Sequence, residues 1–336
     1  MSLSAGSLVA SGHLPEREGK APLLLRPSAG PVNLLEWAEA SRAAVTGALE
    51  EWGAVLFRGF ALDGVEAFER FMAAVSPDLL EYRYRSTPRT RVKGNVYTST
   101  EYPADQEIPF HNEMSYTRSW PLRIAFYSIR AAAEGGETPL ADSRRVHELV
   151  DPAVRERFER HGVMYTRNYT PRLDLPWREV FGVETRAEVE AFCDEAGIEY
   201  EWVGPEHLRT RQVCQATAAH PRTGERLWFN QAHLFHVTSL PREAREALLA
   251  GVDEADLPRN TYYGDGSPIE PEALENVRRA FRGAEIRFGW EDGDVLLADN
   301  MRMAHGRAPF RGERRVVVAM SGAWGADRAD AAAGAA

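Results

Sequence analysis

The amino-acid sequence predicts a mainly β protein with flanking helices, whose core is an antiparallel barrel or sandwich rather than a parallel sheet. From about residue 90 the chain breaks into short β-rich segments at irregular spacing, which Gly and Pro interrupt. Turn signals such as Glu134-Gly135-Gly136 separate them, and we find no internal repeat. Short strands of this kind are typical of antiparallel architectures. The predicted strands are 124–129, 138–141, 226–229, 295–298 and 316–320.

Helical patterns flank these strands. Asn33 followed by Glu36 resembles a capping box, and apolar residues at helical spacing predict a helix that stops at Gly53. A buried strand at 54–57 and a second amphipathic helix at about 65–75 follow. Further helical patterns indicate a helical insertion over the β core; they lie at about 151–160, 186–196, 241–250 and 270–280.

The domain organisation follows from composition. Residues 1–30 are rich in Gly, Pro, Ser and Ala, which predicts a flexible N-terminal segment, and 326–336 read as a disordered tail. Between them we expect one domain over 31–325, with the insertion at about 170–290. A chain of 336 residues is long enough to bury a large core.

Charge and cysteine content exclude several classes of protein. The net charge is −10 and the basic residues are scattered, so nucleic acid is not expected as a partner. Cys193 and Cys214 have no CxxC spacing, which argues against a disulfide framework and suits a reducing cytoplasm. No leader-like segment and no run of about 18 apolar residues occurs, so we expect neither secretion nor a membrane span. The oligomeric state stays open.

The most informative segment surrounds His111 and Glu113. Residues i and i+2 of a strand point to the same side, so both side chains can reach one metal ion. His305 follows a strongly apolar strand far downstream and can complete a set of two histidines and one carboxylate. Such a set leaves coordination positions open for a substrate and O2, unlike a structural zinc site. A His-x-Glu pair alone also arises by chance on a surface.

The surroundings of these residues resemble the taurine dioxygenase superfamily of Fe(II)/2-oxoglutarate enzymes. Four blocks occur in the family's order between about residues 35 and 322, with the weakest match between 170 and 290. The resemblance implies a double-stranded β-helix (jelly-roll, cupin-like) core and the use of Fe(II), 2-oxoglutarate and O2, with succinate and CO2 as co-products. The blocks are 53–60, His111-x-Glu113, 135–142 and 299–320.

The resemblance also assigns roles. It makes His111, Glu113 and His305 the iron ligands. Thr138 and Arg315 match the residues that bind the distal carboxylate of 2-oxoglutarate, and a guanidinium can grip a carboxylate through two parallel hydrogen bonds. Arg314 is then expected on the opposite side of the strand, unless both arginines are solvated edge charges. Taurine dioxygenase has a further arginine four residues beyond, where this chain has Ala319, so sulfonate specificity is not implied.

The carboxylate ligand suggests a branch of the family. Most members carry Asp where this chain has Glu113, and the Glu form resembles clavaminate synthase and the aspartyl hydroxylases of peptide-antibiotic pathways. We therefore expect hydroxylation of an aliphatic C–H of an amino-acid-like small molecule, free or tethered to a carrier protein, in specialised-metabolite biosynthesis. The alternatives are a desaturase or epoxidase, a catabolic sulfonate or aryloxyacid dioxygenase, a zinc hydrolase, or a non-catalytic cupin-like binding module.

Candidate substrate-binding residues are polar side chains near the ligand segments. The group upstream of the first histidine lies where the resemblance places a lid, one residue lies in the aromatic segment 228–236, and two arginines flank the second histidine. An ordinary exposed position is an alternative for each of these residues. The candidates are Asn95, Tyr97, Ser99, Glu101, Asn230, Arg302 and Arg307.

Overall fold

Helices flank the β core on two sides. The computed structural model describes residues 8–14, 22–81, 84, 89–100, 102–171 and 175–325. Two short 3-10 helices lie at Val237–Ser239 and Glu254–Asp256. The α-helices among the described residues are α1 Leu34–Ala40, α2 Arg42–Trp52, α3 Gly64–Val75, α4 Ser143–Leu149, α5 Pro152–His161, α6 Trp177–Phe181, α7 Arg186–Ala196, α8 Ala232–Phe235, α9 Arg242–Gly251 and α10 Pro271–Gly283.

Most predicted strands are present, and several are longer than the sequence indicates. The strands among the described residues are β1 Val9–Gly12, β2 Leu23–Pro27, β3 Ala54–Phe57, β4 Arg91–Lys93, β5 Val96–Thr98, β6 Ile108–His111, β7 Ser119–Arg130, β8 Glu134–Gly135, β9 Leu140–Asp142, β10 Val163–Tyr169, β11 Glu199–Trp202, β12 Leu208–Cys214, β13 Thr217–Ala219, β14 Arg226–Trp228, β15 Arg259–Tyr263, β16 Glu285–Ile286, β17 Val295–Asp299, β18 Met303–Arg307, β19 Phe310–Arg311 and β20 Arg315–Gly325.

An eight-stranded sheet forms the larger half of the β core. Its strand order is β1-β2-β3-β17-β7-β20-β5-β4, and every pairing is antiparallel except that of β2 with β3. The central strand β17 is buried on both faces, as its uninterrupted apolar sequence predicts. Val295 and Leu297 pack on α1, α2 and α3, whereas Leu296 and Ala298 point into the core on the other side.

A four-stranded sheet, with the order β16-β9-β18-β6, faces the inner side of the large sheet. Leu140 of β9 and Met303 of β18 share an apolar cluster with Leu296 and Phe126 of the large sheet. Because side chains alternate along β18, His305 also points into the space between the two sheets. The protein is therefore mainly β with flanking helices, and its metal-ligand candidates lie between two sheets.

The segment predicted as a helical insertion also contains a sheet. Strands β11, β12, β10 and β15 pair in that order, and α6, α7 and α10 pack around them. The same apolar cluster includes Phe110 of β6 and Ala304 of β18, so this layer covers the outer face of the four-stranded sheet. The alternating apolar pattern of β12 is masked in the sequence by arginines on its other face.

The N-terminal helical region differs from the single predicted helix. It consists of α1 and α2, which meet at Ser41, and Asn33 accepts a hydrogen bond from the Glu36 backbone N–H as expected. Helix α2 ends at Gly53 in the left-handed conformation (φ 74°), where a Cβ atom would lie 2.6 Å from Cε of Met303. Among the described residues, no helix is both long and apolar enough to cross a membrane.

Candidate active site

Strand pairing brings the two histidines together. His305 of β18 lies directly opposite His111 of β6, and their ring centroids are 4.5 Å apart. The pairing register shifts immediately beyond His305, at Gly306. A Cβ atom on Gly306 would lie 2.7 Å from the carbonyl oxygen of Ile108, so only glycine permits this close approach of the two strands.

Glu113 reaches the histidines from a turn rather than from the strand. Strand β6 ends at His111, and Met114 has a positive φ of 59°, so the expected same-side argument for residues i and i+2 does not apply. Asn300 holds the turn instead: its Oδ1 accepts from the Glu113 N–H at 2.7 Å, and its Nδ2 donates to the Glu113 carbonyl at 2.9 Å. The side chain of Glu113 is 2% exposed.

A buried polar network supports this clamp. Asp299 accepts from the backbone N–H groups of Met301 and Arg302, and its other oxygen lies 3.0 Å from His220 Nε2. Arg123 also donates to Asp299, at 3.1 Å. These contacts hold the pKa of the Asp299 carboxyl below its usual value although burial opposes them. The turn that carries Asn300 is thereby rigid on the side facing the metal-ligand candidates.

The three side chains fit a metal ion. One potential ligand atom from each of His111, Glu113 and His305 lies within 4.8 Å of the others. Neither ring nitrogen of His305 has a hydrogen-bond partner among the described residues, although both are buried. Such a group is costly unless something binds it. Two imidazoles and one carboxylate suit a divalent transition metal and leave positions open.

Burial also prepares the histidines for a cation. Desolvation lowers the pKa of His305 well below its usual value and lowers that of His111, so both rings are neutral at pH 7. Nδ1 of His111 lies 2.9 Å from the Pro109 carbonyl, which places the proton on Nδ1 and leaves Nε2 as the ligand atom.

Arg314, not Arg315, faces the interior. Val316 and Val318 pack in the cluster between the sheets, and alternation along β20 puts Arg314 on that side. Arg315 is exposed, opposite Arg130 at the point where the register between β20 and β7 shifts. The expected orientation of the two arginines was therefore wrong. The residue four beyond Arg314 is Val318, so this inward position carries an apolar side chain.

Arg314 and Thr138 meet at one end of a cavity of about 370 Å³ that includes both histidines. Nε of Arg314 donates to the Gly136 carbonyl at 2.9 Å, and its Nη2 lies 3.5 Å from Thr138 Oγ1. Burial lowers the pKa of Arg314 to about 10, so the group remains a cation at pH 7. Trp290 Nε1 also donates to Thr138 Oγ1, at 3.1 Å. This end of the cavity is built to bind an anion.

Two of the substrate-binding candidates line the cavity. Ser99 does so with its Oγ 3.4 Å from Nη1 of Arg314. Arg307 lines it too, but its guanidinium donates to the backbone carbonyls of Tyr102, Pro103 and Gln106. Its contribution is therefore to hold that loop against β18. Glu101 lies outside the described residues.

The other candidates do not reach the cavity. Asn95 occupies the turn between β4 and β5, where its backbone N–H binds Glu69 of α3. Tyr97 packs in the apolar cluster between the sheets. Asn230 is fully buried and bonds to the backbone of Ala216 and Ala232, and Arg302 donates to the carbonyl of Glu50 on α2. Local polarity suggested these positions, but backbone groups of the fold already use their donors and acceptors.

The sequence analysis missed Arg89. Its side chain is 4% exposed, lines the cavity beside His111 and His305, and donates from Nη2 to Oε2 of Glu113 at 2.6 Å. Arg89 lies 22 residues before His111, among other polar and basic residues. No periodicity or motif distinguishes it from its neighbours, so only the tertiary contact reveals it.

Comparison with known proteins agrees with this geometry. The model of the taurine catabolism dioxygenase TauD, TfdA family matches residues 21–324. The dapdiamide synthesis protein DdaC of Enterobacter agglomerans is 44% identical over 272 residues, which cover 81% of this chain and 83% of that protein. A clavaminate synthase-like protein of Arabidopsis thaliana is 30% identical over 283 residues, or 81% of this chain and 82% of that protein.

Solved structures show the same fold at low sequence identity. PvcB, described as an Fe, alpha-ketoglutarate dependent oxygenase from an isonitrile synthetic pathway, superposes with a TM-score of 0.56 at 17% identity. The match covers 95% of this chain and 93% of PvcB. A taurine dioxygenase from Burkholderia xenovorans superposes with a TM-score of 0.53 at 16% identity, over 96% and 92% of the two chains. The chain belongs to the TauD, TfdA family and is a 2-oxoglutarate-dependent non-haem iron dioxygenase that uses Fe(II), 2-oxoglutarate and O2.

Proposed function

We propose that this enzyme hydroxylates an aliphatic C–H of an amino-acid-like substrate in specialised-metabolite biosynthesis, while 2-oxoglutarate is converted to succinate and CO2. The relative at 44% identity is a dapdiamide synthesis protein, and PvcB belongs to an isonitrile synthetic pathway. Both names support a biosynthetic rather than a catabolic role. The substrate is either free or presented on a carrier protein.

His111, Glu113 and His305 hold the iron in this proposal. The single observation that carries it is the buried cluster of these three side chains, in which both nitrogens of His305 lack partners among the described residues. Bound iron and 2-oxoglutarate together supply the activation of O2 for oxidation of a C–H bond. The protein's part is to keep both histidines neutral and to hold Glu113 through Asn300.

Arg314 and Thr138 bind the distal carboxylate of 2-oxoglutarate. They lie together at the end of the cavity opposite the Glu113 side of the metal ligands, and the guanidinium is desolvated. Ion pairs with such a group are strong because little water screens them. Ile108, Phe126 and Val318 line the cavity between the two ends and exclude water from the reacting atoms.

The architecture fits a double-stranded β-helix. We infer that the eight-stranded and four-stranded sheets are its two faces, within one catalytic domain over residues 31–325. The shared apolar cluster between the sheets supports this, as does the placement of the histidines on adjacent strands of the smaller sheet. The layer built from β10, β11, β12 and β15 is then an insertion into this domain.

An anaerobic titration tests the proposal. Metal-free protein is mixed with Fe(II) and 2-oxoglutarate, and we expect the weak visible charge-transfer band of a chelated complex, which His305→Ala abolishes. Formation of succinate is then followed by mass spectrometry across a panel of free and carrier-tethered amino acids, with the oxidised product identified by its mass. A folded, iron-loaded protein without the band would refute the assigned ligands. A band without product from any amino acid would refute the substrate class.

A further inference from the structure

A second buried arginine lies at the metal end of the cavity. Nη2 of Arg89 donates to Oε2 of Glu113 at 2.6 Å, and the same oxygen is 4.0 Å from Nε2 of His305. The positive charge of Arg89 lowers the pKa of both His111 and His305. Arg89 is therefore close to all three candidate ligands.

The arginines that line the cavity have different tasks. Arg314 lies beside Thr138 at the far end, where the distal carboxylate of 2-oxoglutarate is proposed to bind. Arg307 directs its guanidinium to three backbone carbonyls. Arg89 is the cation beside the metal ligands, where the oxidised C–H of a substrate has to be held.

Charge balance explains what Arg89 requires. A divalent ion is balanced by Glu113 and by the carboxylate that 2-oxoglutarate places on the metal. The distal carboxylate of 2-oxoglutarate balances Arg314. Arg89 then remains as a buried cation whose partner, Glu113, now shares its charge with the metal. A buried charge without a counterion is unfavourable, so this position favours an anionic ligand.

We propose that Arg89 binds a free carboxylate of the substrate next to the iron. In the metal-free protein it pairs with Glu113, and in the loaded enzyme it turns at least one N–H edge toward the substrate. The inference rests on the proposed function and narrows it to acids, such as amino acids with an unmodified carboxyl group. A guanidinium can donate to Glu113 and to a second carboxylate from different edges.

Binding of acids and amides tests this assignment. Fe(II)- and 2-oxoglutarate-loaded protein is titrated anaerobically with a panel of L-amino acids and their matching carboxamides, and binding is followed by the change in the visible band. For wild type we expect acids to bind at least tenfold more tightly than amides, which corresponds to about 1.4 kcal/mol. Arg89→Gln should weaken acid binding about 10- to 100-fold and leave amide binding unchanged. Arg89→Lys should restore part of the loss.

A second measurement does not depend on the substrate. Arg89 competes with a metal ion for Glu113 and repels it, so Arg89→Gln should bind Mn(II) about tenfold more tightly than wild type when 2-oxoglutarate is absent. The control is Arg145→Gln, which removes an exposed arginine that pairs with Glu148 on α4. Its Mn(II) and acid affinities should equal those of wild type.

The outcomes separate this inference from the proposed function. Equal binding of acids and amides, acid binding that Arg89→Gln does not weaken, or an unchanged Mn(II) affinity in that variant would each overturn the role of Arg89. A missing charge-transfer band in the wild type would instead overturn the assigned iron site, and the inference about the substrate with it.

Discussion

Replacing Arg314 with alanine should separate 2-oxoglutarate binding from iron binding. Arg314 donates to the Gly136 carbonyl and lies next to Thr138, on the inner side of β20. The next residue, Arg315, has the same chemistry but is exposed on the outer side. The two single variants therefore remove the same side chain from two faces of one strand.

The expected magnitude follows from burial. Desolvation lowers the pKa of Arg314 to about 10, and the dianionic co-substrate would face an uncompensated end of the cavity without it. Truncating one partner of a buried, hydrogen-bonded ion pair costs about 3 kcal/mol or more, which is about a 100-fold or greater loss of affinity. Arg314→Lys keeps the charge but loses the planar fork, so we expect a smaller loss, of about tenfold.

The assay is an anaerobic titration of Fe(II)-loaded protein with 2-oxoglutarate, followed by the visible band. Arg315→Ala should leave the dissociation constant within about twofold of wild type, since an exposed charge contributes little. Iron affinity, measured separately without 2-oxoglutarate, should not change in either variant. The reverse ranking, with Arg315→Ala weaker than Arg314→Ala, would refute the orientation of β20 and restore the expectation drawn from the sequence.

Three further changes test the supporting structure. Asn300→Ala removes the clamp on Glu113 and should lower Fe(II) affinity about 10- to 100-fold in a direct metal titration. Arg58→Ala leaves the fully buried Asp294 without its hydrogen-bonded partner and should lower the free energy of unfolding in urea by about 3–5 kcal/mol. Burial lowers the pKa of His236 to about 4, against about 6.5 in the unfolded chain. The folded state therefore binds fewer protons, and this residue should cost about 3 kcal/mol of stability as pH falls from 6.5 to 4, a loss that His236→Asn should remove.

Each of these outcomes has a matched control. Arg130→Ala breaks an exposed ion pair with Asp292, so its unfolding free energy should stay within about 0.5 kcal/mol of wild type. An equal effect of Arg58→Ala would show that the buried pair is not stabilising. Unchanged iron affinity in Asn300→Ala would remove the clamp from the site. If His236→Asn has the same acid dependence of unfolding as wild type, another group controls that dependence.

Motifs close together in the sequence predicted much of the site. The His111-x-Glu113 element, the downstream His305 and Thr138 after the double glycine were identified from sequence, and the structure brings them around one cavity. Local apolar periodicity also predicted α3, α5, α7 and α10, because helix formation depends on residues three and four apart. Polar residues near the ligands were a poor guide to substrate contacts, as Asn230 shows by bonding only to backbone groups in the described part of the chain.

The sequence by itself determined the chemistry of this protein: a donor set of two histidines and a carboxylate, an arginine pair on the last long strand, and a mainly β core. Tertiary structure decided which arginine faces the cavity. Strand β20 is apolar on both faces, so its pattern does not distinguish inside from outside, and the choice depends on its pairing with β7 through a shifted register. Tertiary structure also placed Arg89 on Glu113, because that contact joins a loop and a turn that have no sequence pattern in common.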